Sequence, residues 1–255
     1  MKKLLLVLLF SPLVSFGQLF LPKSQGELIK HTFYSLSYAE DHEQAEWVHY
    51  RLDPIMLKGC EPRKDAFKSD SMVSTKSAAK SDYNFKVYGY HKGHLAPAAD
   101  MRNNSTSMSE SFYMSNISPQ NPSFNMGRWK MLEKMVRAWA NEGEVYITTG
   151  GVLKPKNLKK IGGGVSVPER FYKIIFSNSK SKMIGFLMPN KKINGSLKSY
   201  VVTVDEIESL TGIDFFHELE DVNEARLESS ITLSDWDFDL KFLNPCLSKV
   251  NQTVH

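Results

Sequence analysis

The stretch YHKGHLAPAADM, from Tyr90 to Met101, places two histidines, a lysine and a glycine at four consecutive positions and follows them with Leu-Ala-Pro. A turn requires only the glycine, and a core strand would not favour two imidazoles beside an ammonium group. Taken alone, the stretch fits a loop with solvated histidines as well as it fits a site where the histidines carry chemistry. The rest of the sequence has to decide between these interpretations.

The amino terminus, MKKLLLVLLFSPLVSFGQ, has two lysines, a short apolar run and small residues at Ser15 and Gly17. This pattern is typical of a secretory signal peptide and predicts that residues 1–17 are removed, so that the mature chain begins at Gln18. The apolar run is too short and too interrupted for a permanent membrane anchor, so no stable membrane insertion is expected after cleavage; an uncleaved or lipid-tethered form is the alternative. The predicted localisation is secreted or periplasmic.

The mature chain has a weak net charge, since loss of Lys2 and Lys3 from 32 basic and 28 acidic residues leaves about +2. A surface that binds polyanions must therefore be local. The length and the 42% apolar content predict a single globular domain over residues 18–255. Two cysteines, Cys60 and Cys246, leave one bridge or two free thiols equally open, and the lack of a CxxC pair disfavours structural zinc.

The periodicity of apolar residues predicts both strands and helices. EWVHYRLDP alternates as a strand that ends at Pro54, and three further strands of one sheet are predicted in EVYITTGGVL, RFYKIIFS and KMIGFLMPN. The charged, serine-rich residues 61–82 predict a long surface loop. An amphipathic helix is expected from Met126 to near Gly143, and a second one in TVDEIESLTGI, capped by Thr203 or Asp205 and ended by Gly212.

Several motifs together resemble those of the DNA/RNA non-specific endonuclease family: KGHLAPAADM, SNISPQNPSFNMGRWKMLE, VYITTGGVL, VPERFYKIIF, FLMPN and LTGIDFF. Their order and approximate spacing match from about Trp47 to Phe216. The resemblance implies an α+β fold, with a mixed, largely antiparallel sheet flanked by helices. It also implies a ββα-metal active-site motif, in which a strand-borne histidine faces a helix-borne asparagine that holds one magnesium ion.

The family resemblance has one clear departure. Where the family has Asp-Arg-Gly-His, this chain has His91-Lys92-Gly93-His94, so the acidic position and the arginine are both replaced. The glycine and the final histidine remain. The effect of His91 is left open, because it could reorient the turn, remain solvated or tune its neighbour.

Hydrolysis of a phosphodiester needs a base for the attacking water, and a neutral imidazole suits that role because its unperturbed pKa is ~6.5. His94 is the candidate base, and the resemblance gives it the same role. An adjacent cation would lower its pKa, so activity should rise with pH through that pKa. Mg²⁺ prefers oxygen ligands and retains most of its waters, so the amide of Asn125 is a sufficient protein ligand; Mn²⁺ is a possible substitute. A helix cap is the alternative role for Asn125.

The remaining candidates rest more heavily on the resemblance. Glu133 lies eight residues past Asn125, ~12 Å along a regular helix, so it is expected to act outside direct coordination or to be a solvated helix residue. Arg63 resembles the phosphate-clamping arginine of the family, although surface arginines are often only solvated. Lys92 can offer a point charge to phosphate, and Asn116 and Gln120 match polar positions near the site or serve as loop hydrogen-bonding residues.

The sequence therefore predicts a secreted or periplasmic, Mg²⁺-dependent endonuclease that cuts DNA and RNA with little sequence specificity. The lysine-rich residues 154–164 and the pair Lys191-Lys192 could follow a nucleic-acid backbone or be plain solvated turns. Two alternatives remain open. The first is a catalytically weakened relative that binds nucleic acid or another polyanion, and the second is an exported binding or structural protein without nuclease activity.

Overall fold

The structure is a computed structural model that describes residues 19–23 and 25–246. The predicted signal peptide and its cleavage site at Gln18 lie outside the described residues. Within the described ranges, none of the helices combines the length and the apolar character that a bilayer span requires.

A seven-stranded antiparallel sheet lies at the centre of the fold, in the order β1-β2-β3-β6-β9-β10-β11. Two small two-stranded sheets, β4-β5 and β7-β8, accompany it. The strands are β1 Glu27–Lys30, β2 Ser35–Ala39, β3 Gln44–Leu52, β4 His91–His94, β5 Ile117–Gln120, β6 Val145–Gly151, β7 Lys160–Ile161, β8 Val165–Ser166, β9 Arg170–Ser177, β10 Lys182–Pro189 and β11 Val201–Val202.

Helices cover both faces of the large sheet, because alternate residues of its strands are apolar on both sides. In β9, Phe171 and Ile175 pack in the cluster that contains α4, whereas Ile174 and Phe176 pack in the cluster that contains α5 and α6. The α-helices are α1 Phe85–Tyr88, α2 Ser105–Glu110, α3 Pro122–Phe124, α4 Lys130–Asn141, α5 Val204–Thr211 and α6 Asp221–Glu228. The fold is α+β with a largely antiparallel sheet, as the sequence predicted.

The predicted elements lie close to their expected positions. The strand that stops before Pro54 is β3, and the three predicted strands are β6, β9 and β10 of one sheet. Helix α5 begins at the cap Thr203, whose Oγ1 accepts a hydrogen bond from Glu206 N at 3.2 Å. It ends at Gly212, which adopts a left-handed conformation with φ of 74°.

The helix predicted from Met126 is irregular in its first turn. Residues Asn125–Trp129 form a π-helical turn, in which Gly127 departs from helical geometry with φ of −98° and ψ of −116°. The regular helix α4 begins only at Lys130. A wider turn of this kind is frequently found at functional sites. It offsets the side chain of Asn125 from the register of α4.

Cys60 and Cys246 form a disulfide, with a Cα–Cα distance of 5.6 Å. The sequence had left this bond and two free thiols equally open. The bridge joins the loop after β3 to the end of the described chain, across a sequence separation of 186 residues. It therefore holds the C-terminal segment against the long loop that also contributes residues to the site.

A buried ion pair connects the segment after β4 to helix α4. Asp100 accepts a hydrogen bond from Arg137 Nη1 at 2.5 Å and another from Tyr50 Oη at 2.9 Å. The side chains of Asp100 and Arg137 are only 1% and 8% exposed. Because β4 carries His94 and the helical segment that continues into α4 carries Asn125, this pair sets the position of the two candidate residues relative to each other.

Replacing Arg137 by methionine should lower the free energy of unfolding by ~3–5 kcal/mol, because it leaves the Asp100 carboxylate buried without its positive partner. Chemical denaturation followed by circular dichroism measures the change. Lys134→Met is the matched control on the exposed side of α4 and should change the stability by less than ~0.5 kcal/mol. A loss below ~1 kcal/mol for Arg137→Met would show that the pair does not support the fold.

Candidate active site

The short strands β4 and β5 pair in antiparallel fashion, with His94 opposite Ile117 and His91 opposite Gln120. One residue after β5, Asn121 caps the next helix, since its Oδ1 accepts hydrogen bonds from Ser123 N at 3.0 Å and from Phe124 N at 3.3 Å. The chain therefore passes from two paired strands directly into the helical segment that contains Asn125. This order of elements is the ββα arrangement that the sequence predicted.

His91 and Asn125 contact each other across this motif, with His91 Nδ1 3.3 Å from Asn125 Nδ2. The amide nitrogen of Asn125 is thereby engaged, whereas its Oδ1 has no hydrogen-bond partner among residues 19–23 and 25–246. Asn125 is half-buried, so this oxygen is held in place and remains reachable. An amide oxygen is a ligand that hard cations such as Mg²⁺ prefer, so the residue fits the predicted metal.

His94 lies between two aromatic rings. Its imidazole makes an edge contact with Phe112, at a centroid distance of 4.9 Å, and a tilted contact with Phe67 at 5.5 Å. Its Nε2 is shielded from solvent and has no hydrogen-bond partner within the described part of the chain. An attacking water could therefore meet this imidazole only through its other nitrogen, Nδ1.

The surroundings of His94 strongly favour its neutral form. Burial first, and the positive charge of Arg63 second, lower the pKa of His94 to about 3, against an opposing contribution from Asp65. The sequence had predicted a lowered pKa from an adjacent cation. In the structure the protein itself supplies the shift, mainly by removing the imidazolium from water.

The structure places Arg63 and Lys92 beside the two aromatic rings next to His94, although Arg63 lies 31 residues before His94. The Arg63 guanidinium lies 5.1 Å from the centroid of the Phe112 ring and bonds Asp65 through Nε at 2.7 Å. Lys92 Nζ lies 5.7 Å from the centroid of Phe67 and 3.3 Å from the Tyr83 carbonyl oxygen. Both cations thus flank the aromatic rings that enclose His94.

Glu133 is half-buried and interacts with a group of charges beneath the first turn of α4. Burial raises the pKa of the Glu133 carboxyl, and the positive charges of Arg137 and Lys173 oppose that rise. Lys173 comes from β9, is fully buried and has its Nζ 4.9 Å from the centroid of the Trp129 ring. Glu133 therefore interacts with the core charges, and its position relative to the metal stays a prediction.

Asn116 is fully buried, and its amide is occupied by the backbone. Its Oδ1 accepts from Ala96 N at 2.8 Å, and its Nδ2 donates to Ala96 O and to Ser111 O, both at 2.9 Å. These bonds hold the chain two residues after His94. The arrangement fits the alternative role of a loop hydrogen-bonding residue, because both amide hydrogens are engaged and the amide positions the loop after β4; the catalytic role of Asn116 stays a prediction.

Gln120 is also fully buried, and neither its Oε1 nor its Nε2 has a hydrogen-bond partner in the described chain. Its side chain lies against Gly93, where a Cβ would come within 2.1 Å of Gln120 Cδ. Only glycine fits at position 93 for this reason. Because the side chain of Gln120 is buried, it offers no exposed surface for the predicted contact with substrate. Its unpaired amide lies directly beneath β4.

Sequence reasoning missed the two aromatic residues that enclose His94. Phe67 is the single aromatic residue of the loop 61–82, and an isolated aromatic side chain in a polar loop is a signal that it packs elsewhere. Phe112 lies in SFYMSNIS and is completely buried. No local pattern connects either residue with His94.

A basic cleft lies beside the motif. It has a volume of about 530 Å³, begins at Tyr90 and is lined by Lys159, Arg170 and Lys191, among other residues. Lys159 Nζ lies 5.1 Å from the centroid of the Tyr90 ring. The two lysine-bearing segments singled out in the sequence, residues 154–164 and 191–192, thus each contribute a cation to this cleft. The cleft adjoins Tyr90, the residue that precedes β4.

Comparison with known proteins agrees with this geometry. The sequence profile of the DNA/RNA non-specific endonuclease family matches residues 16–222. The chain belongs to this family. A nuclease of Nostoc sp. is 30% identical over 213 residues, which cover 78% of this chain and 76% of that protein. The mitochondrial nuclease EXOG of Danio rerio is 32% identical over 223 residues, which cover 80% of this chain and 65% of the relative.

A solved structure supports the assignment to the non-specific endonucleases. A chain of the EndoG/EndoGI complex superposes with a TM-score of 0.69 at 28% identity, and the match covers 76% of this chain and 87% of that one. As a member of this family, the protein is an enzyme of the metal-dependent phosphodiesterase class. The family match ends at residue 222, within the first turn of α6.

Proposed function

We propose that the protein is an exported, Mg²⁺-dependent endonuclease that hydrolyses DNA and RNA with little sequence preference. The observation that carries this proposal is the ββα arrangement, in which β4 presents His94 and places His91 against Asn125 at 3.3 Å. Family membership supports the reaction, and the geometry supports the roles of the individual residues.

Asn125 is proposed to hold the metal through Oδ1, the amide atom that the contact with His91 leaves free. A bound Mg²⁺ ion would supply positive charge to the phosphate oxygens as negative charge develops there. His91 acts as a positioning residue, since its Nδ1 fixes the orientation of the Asn125 amide. This role would explain the presence of a histidine at position 91, where the family has an acidic residue.

His94 is proposed to take the proton from the attacking water. It is neutral over the whole physiological range, because its pKa of about 3 lies far below pH 7. So low a pKa also makes a weak base, and proton transfer is most efficient when the pKa lies nearer the working pH. The negative charge of a substrate phosphate would raise the pKa of His94 and so increase its basicity in the complex.

The cations near His94 and along the basic cleft are proposed to bind the phosphate backbone. Arg63 can pair with phosphate oxygens through its exposed guanidinium, and Lys92 can contribute a point charge. Lys159, Arg170 and Lys191 extend the positive surface along the adjacent cleft. Contacts to the backbone carry no base information, so cleavage should be largely indifferent to sequence.

Export is supported by the amino-terminal sequence and by the Cys60–Cys246 bridge. Disulfides form and persist in oxidising compartments, such as the periplasm or the extracellular space. Amino-terminal sequencing of the native protein should find Gln18 as the first residue. Recovery of the chain with Met1 intact would contradict the proposed export.

The decisive experiment incubates the purified mature chain with plasmid DNA and with single-stranded RNA, each with Mg²⁺ and with a chelator. We expect both substrates to be cut with Mg²⁺ and neither with the chelator. Binding without cleavage would favour the weakened, polyanion-binding relative, which the replaced Asp-Arg positions motivate. Neither binding nor cleavage would favour an exported protein without nuclease function.

Changing Lys92 to arginine restores the residue that the family has at this position. Activity should stay equal or rise up to ~10-fold, because a guanidinium can form two hydrogen bonds to phosphate where an ammonium acts as a point charge. Initial rates of plasmid cleavage measure the effect, with Lys86→Arg on the exposed helix α1 as the control. A large loss with Lys92→Arg alone would mean that the ammonium group has a role that arginine cannot fill.

A further inference from the structure

Three carboxylates converge on the face of the sheet opposite α4. Asp205 and Glu208 are three residues apart on α5, and Glu228 is the last residue of α6, which packs against α5. One carboxylate oxygen of each residue lies within 4.8 Å of those of the other two. Like charges at this distance repel each other, so the arrangement needs a compensating partner.

Glu228 is the member of this cluster that the protein leaves unsatisfied. The residue is only 4% exposed, and its Oε1 is shielded from solvent without a hydrogen-bond partner in residues 25–246. Burying a carboxylate without a hydrogen bond or a counter-charge is strongly unfavourable. Burial, together with the charges of Glu208 and Glu224, raises the pKa of Glu228 to about 9.

The nearby basic side chains are engaged elsewhere. Lys23 Nζ pairs with Asp214 at 2.6 Å, and Arg226 Nη2 donates to Ser181 Oγ at 2.9 Å. None of the ion pairs in the described ranges includes Asp205, Glu208 or Glu228. No basic side chain in those ranges therefore neutralises the cluster, and without a bound cation the raised pKa keeps Glu228 protonated at neutral pH.

We propose that Asp205, Glu208 and Glu228 form a binding site for a Ca²⁺ ion, separate from the catalytic metal site, that fastens α6 to α5. Oxygens bound to one Ca²⁺ ion lie at most ~4.6–5.2 Å apart, so the spacing of the cluster allows the three carboxylates to share one ion. All the donors are carboxylate oxygens, without the histidine or cysteine that zinc prefers. Water can complete the coordination, because Asp205 is exposed.

The position of the site suggests what the ion does. The family match ends at residue 222, so Asp205 and Glu208 belong to the part shared with the family, whereas Glu228 lies beyond it. After α6 the chain continues to Trp236, which packs in the main core, and to the disulfide at Cys246. Calcium would therefore stabilise the attachment of the C-terminal segment rather than take part in cleavage.

Thermal unfolding of the full mature chain, after treatment with chelator, tests the site. At a Ca²⁺ concentration a hundredfold above the dissociation constant, the melting temperature should rise by ~5–10 °C. Glu228→Gln should abolish that rise, since a neutral amide keeps the shape of the side chain but removes its charge. Glu206→Gln, on the exposed side of α5, is the matched control and should retain the rise.

Two further measurements keep the outcome unambiguous. Because the catalytic site could also take up Ca²⁺, the titration is repeated with Asn125→Ala, where the rise should persist. Isothermal titration calorimetry should show a Ca²⁺ site that Asp205→Asn weakens at least tenfold. The proposal is overturned if Ca²⁺ leaves the melting temperature unchanged, if Glu228→Gln responds as the unmodified chain does, or if the rise is lost with Asn125→Ala.

Discussion

Replacing His94 by alanine should lower the rate of plasmid cleavage by a factor of ~10²–10⁴, the usual contribution of a positioned acid or base. The physical reason is that the neutral imidazole is the group placed to accept a proton at the ββα motif. The fold should be retained, because Phe67 and Phe112 keep their own packing contact at 5.0 Å. Initial rates in Mg²⁺, together with circular dichroism, measure both effects.

The pH dependence provides a second readout for His94. A histidine is active as a base only above its pKa, and burial places that pKa at about 3 in the free enzyme. The rise of kcat/KM that depends on His94 should therefore lie below pH ~5, and titration of this residue should cause no rise between pH 5 and 9. A rise with a midpoint near 6.5 that disappears only in His94→Ala would contradict the buried environment seen here.

His91→Ala is the comparison for His94→Ala. Since His91 acts through Asn125, its removal should cost less activity and should increase the Mg²⁺ concentration required for half-maximal rate. A His94→Ala variant with nearly intact activity, or a His91→Ala variant with the larger loss, would mean that the base has been assigned to the wrong histidine of YHKGHLAPAADM.

Replacing Asn125 by alanine should abolish cleavage at millimolar Mg²⁺, because Asn125 is proposed to be the direct protein ligand of the ion. With a single protein ligand, the metal has no alternative attachment once the amide oxygen is removed. The variant should still fold, since the side chain is half-buried and bonds only His91. Cleavage rates over a Mg²⁺ series, with unfolding curves, provide the measurement.

Two controls accompany the Asn125 experiment. Asn125→Asp keeps an oxygen ligand at the same position and should retain measurable activity, with a changed Mg²⁺ requirement. Asn178→Ala, at the exposed turn after β9, should cleave at the original rate. Near-native activity of Asn125→Ala at modest Mg²⁺ would show that the metal site lies elsewhere.

Elements whose signals are local could be predicted from the sequence. The alternation in β3, the three- and four-residue spacing in α4, and the Thr203 cap and Gly212 end of α5 each depend on residues within a few positions of one another. The candidate residues His94 and Asn125 came from motifs of the same kind, supported by the family resemblance. The π-helical turn at Asn125 escaped prediction, because periodicity is insensitive to one extra residue in a turn.

The environment of each candidate residue depended on contacts between distant segments. The pKa of His94 is lowered first by burial against rings such as Phe67 and Phe112 and then by Arg63, with Asp65 opposing, and these residues reach it from other parts of the chain. The environment of Asn116 also depends on other segments, because its amide bonds the backbone of Ala96 and Ser111. The sequence alone could not distinguish this structural amide from a catalytic one.

The sequence by itself therefore determined which residue types are present for the chemistry and which strands and helices carry them, because those properties depend on neighbours along the chain. Only the tertiary structure decided which polar groups remain free, which are consumed by hydrogen bonds and which lose contact with water. The contact between His91 and Asn125, the Cys60–Cys246 bond and the unpaired carboxylate of Glu228 all belong to this second class. Burial and pairing arise from segments that meet only when the chain is folded, so no local pattern encodes them.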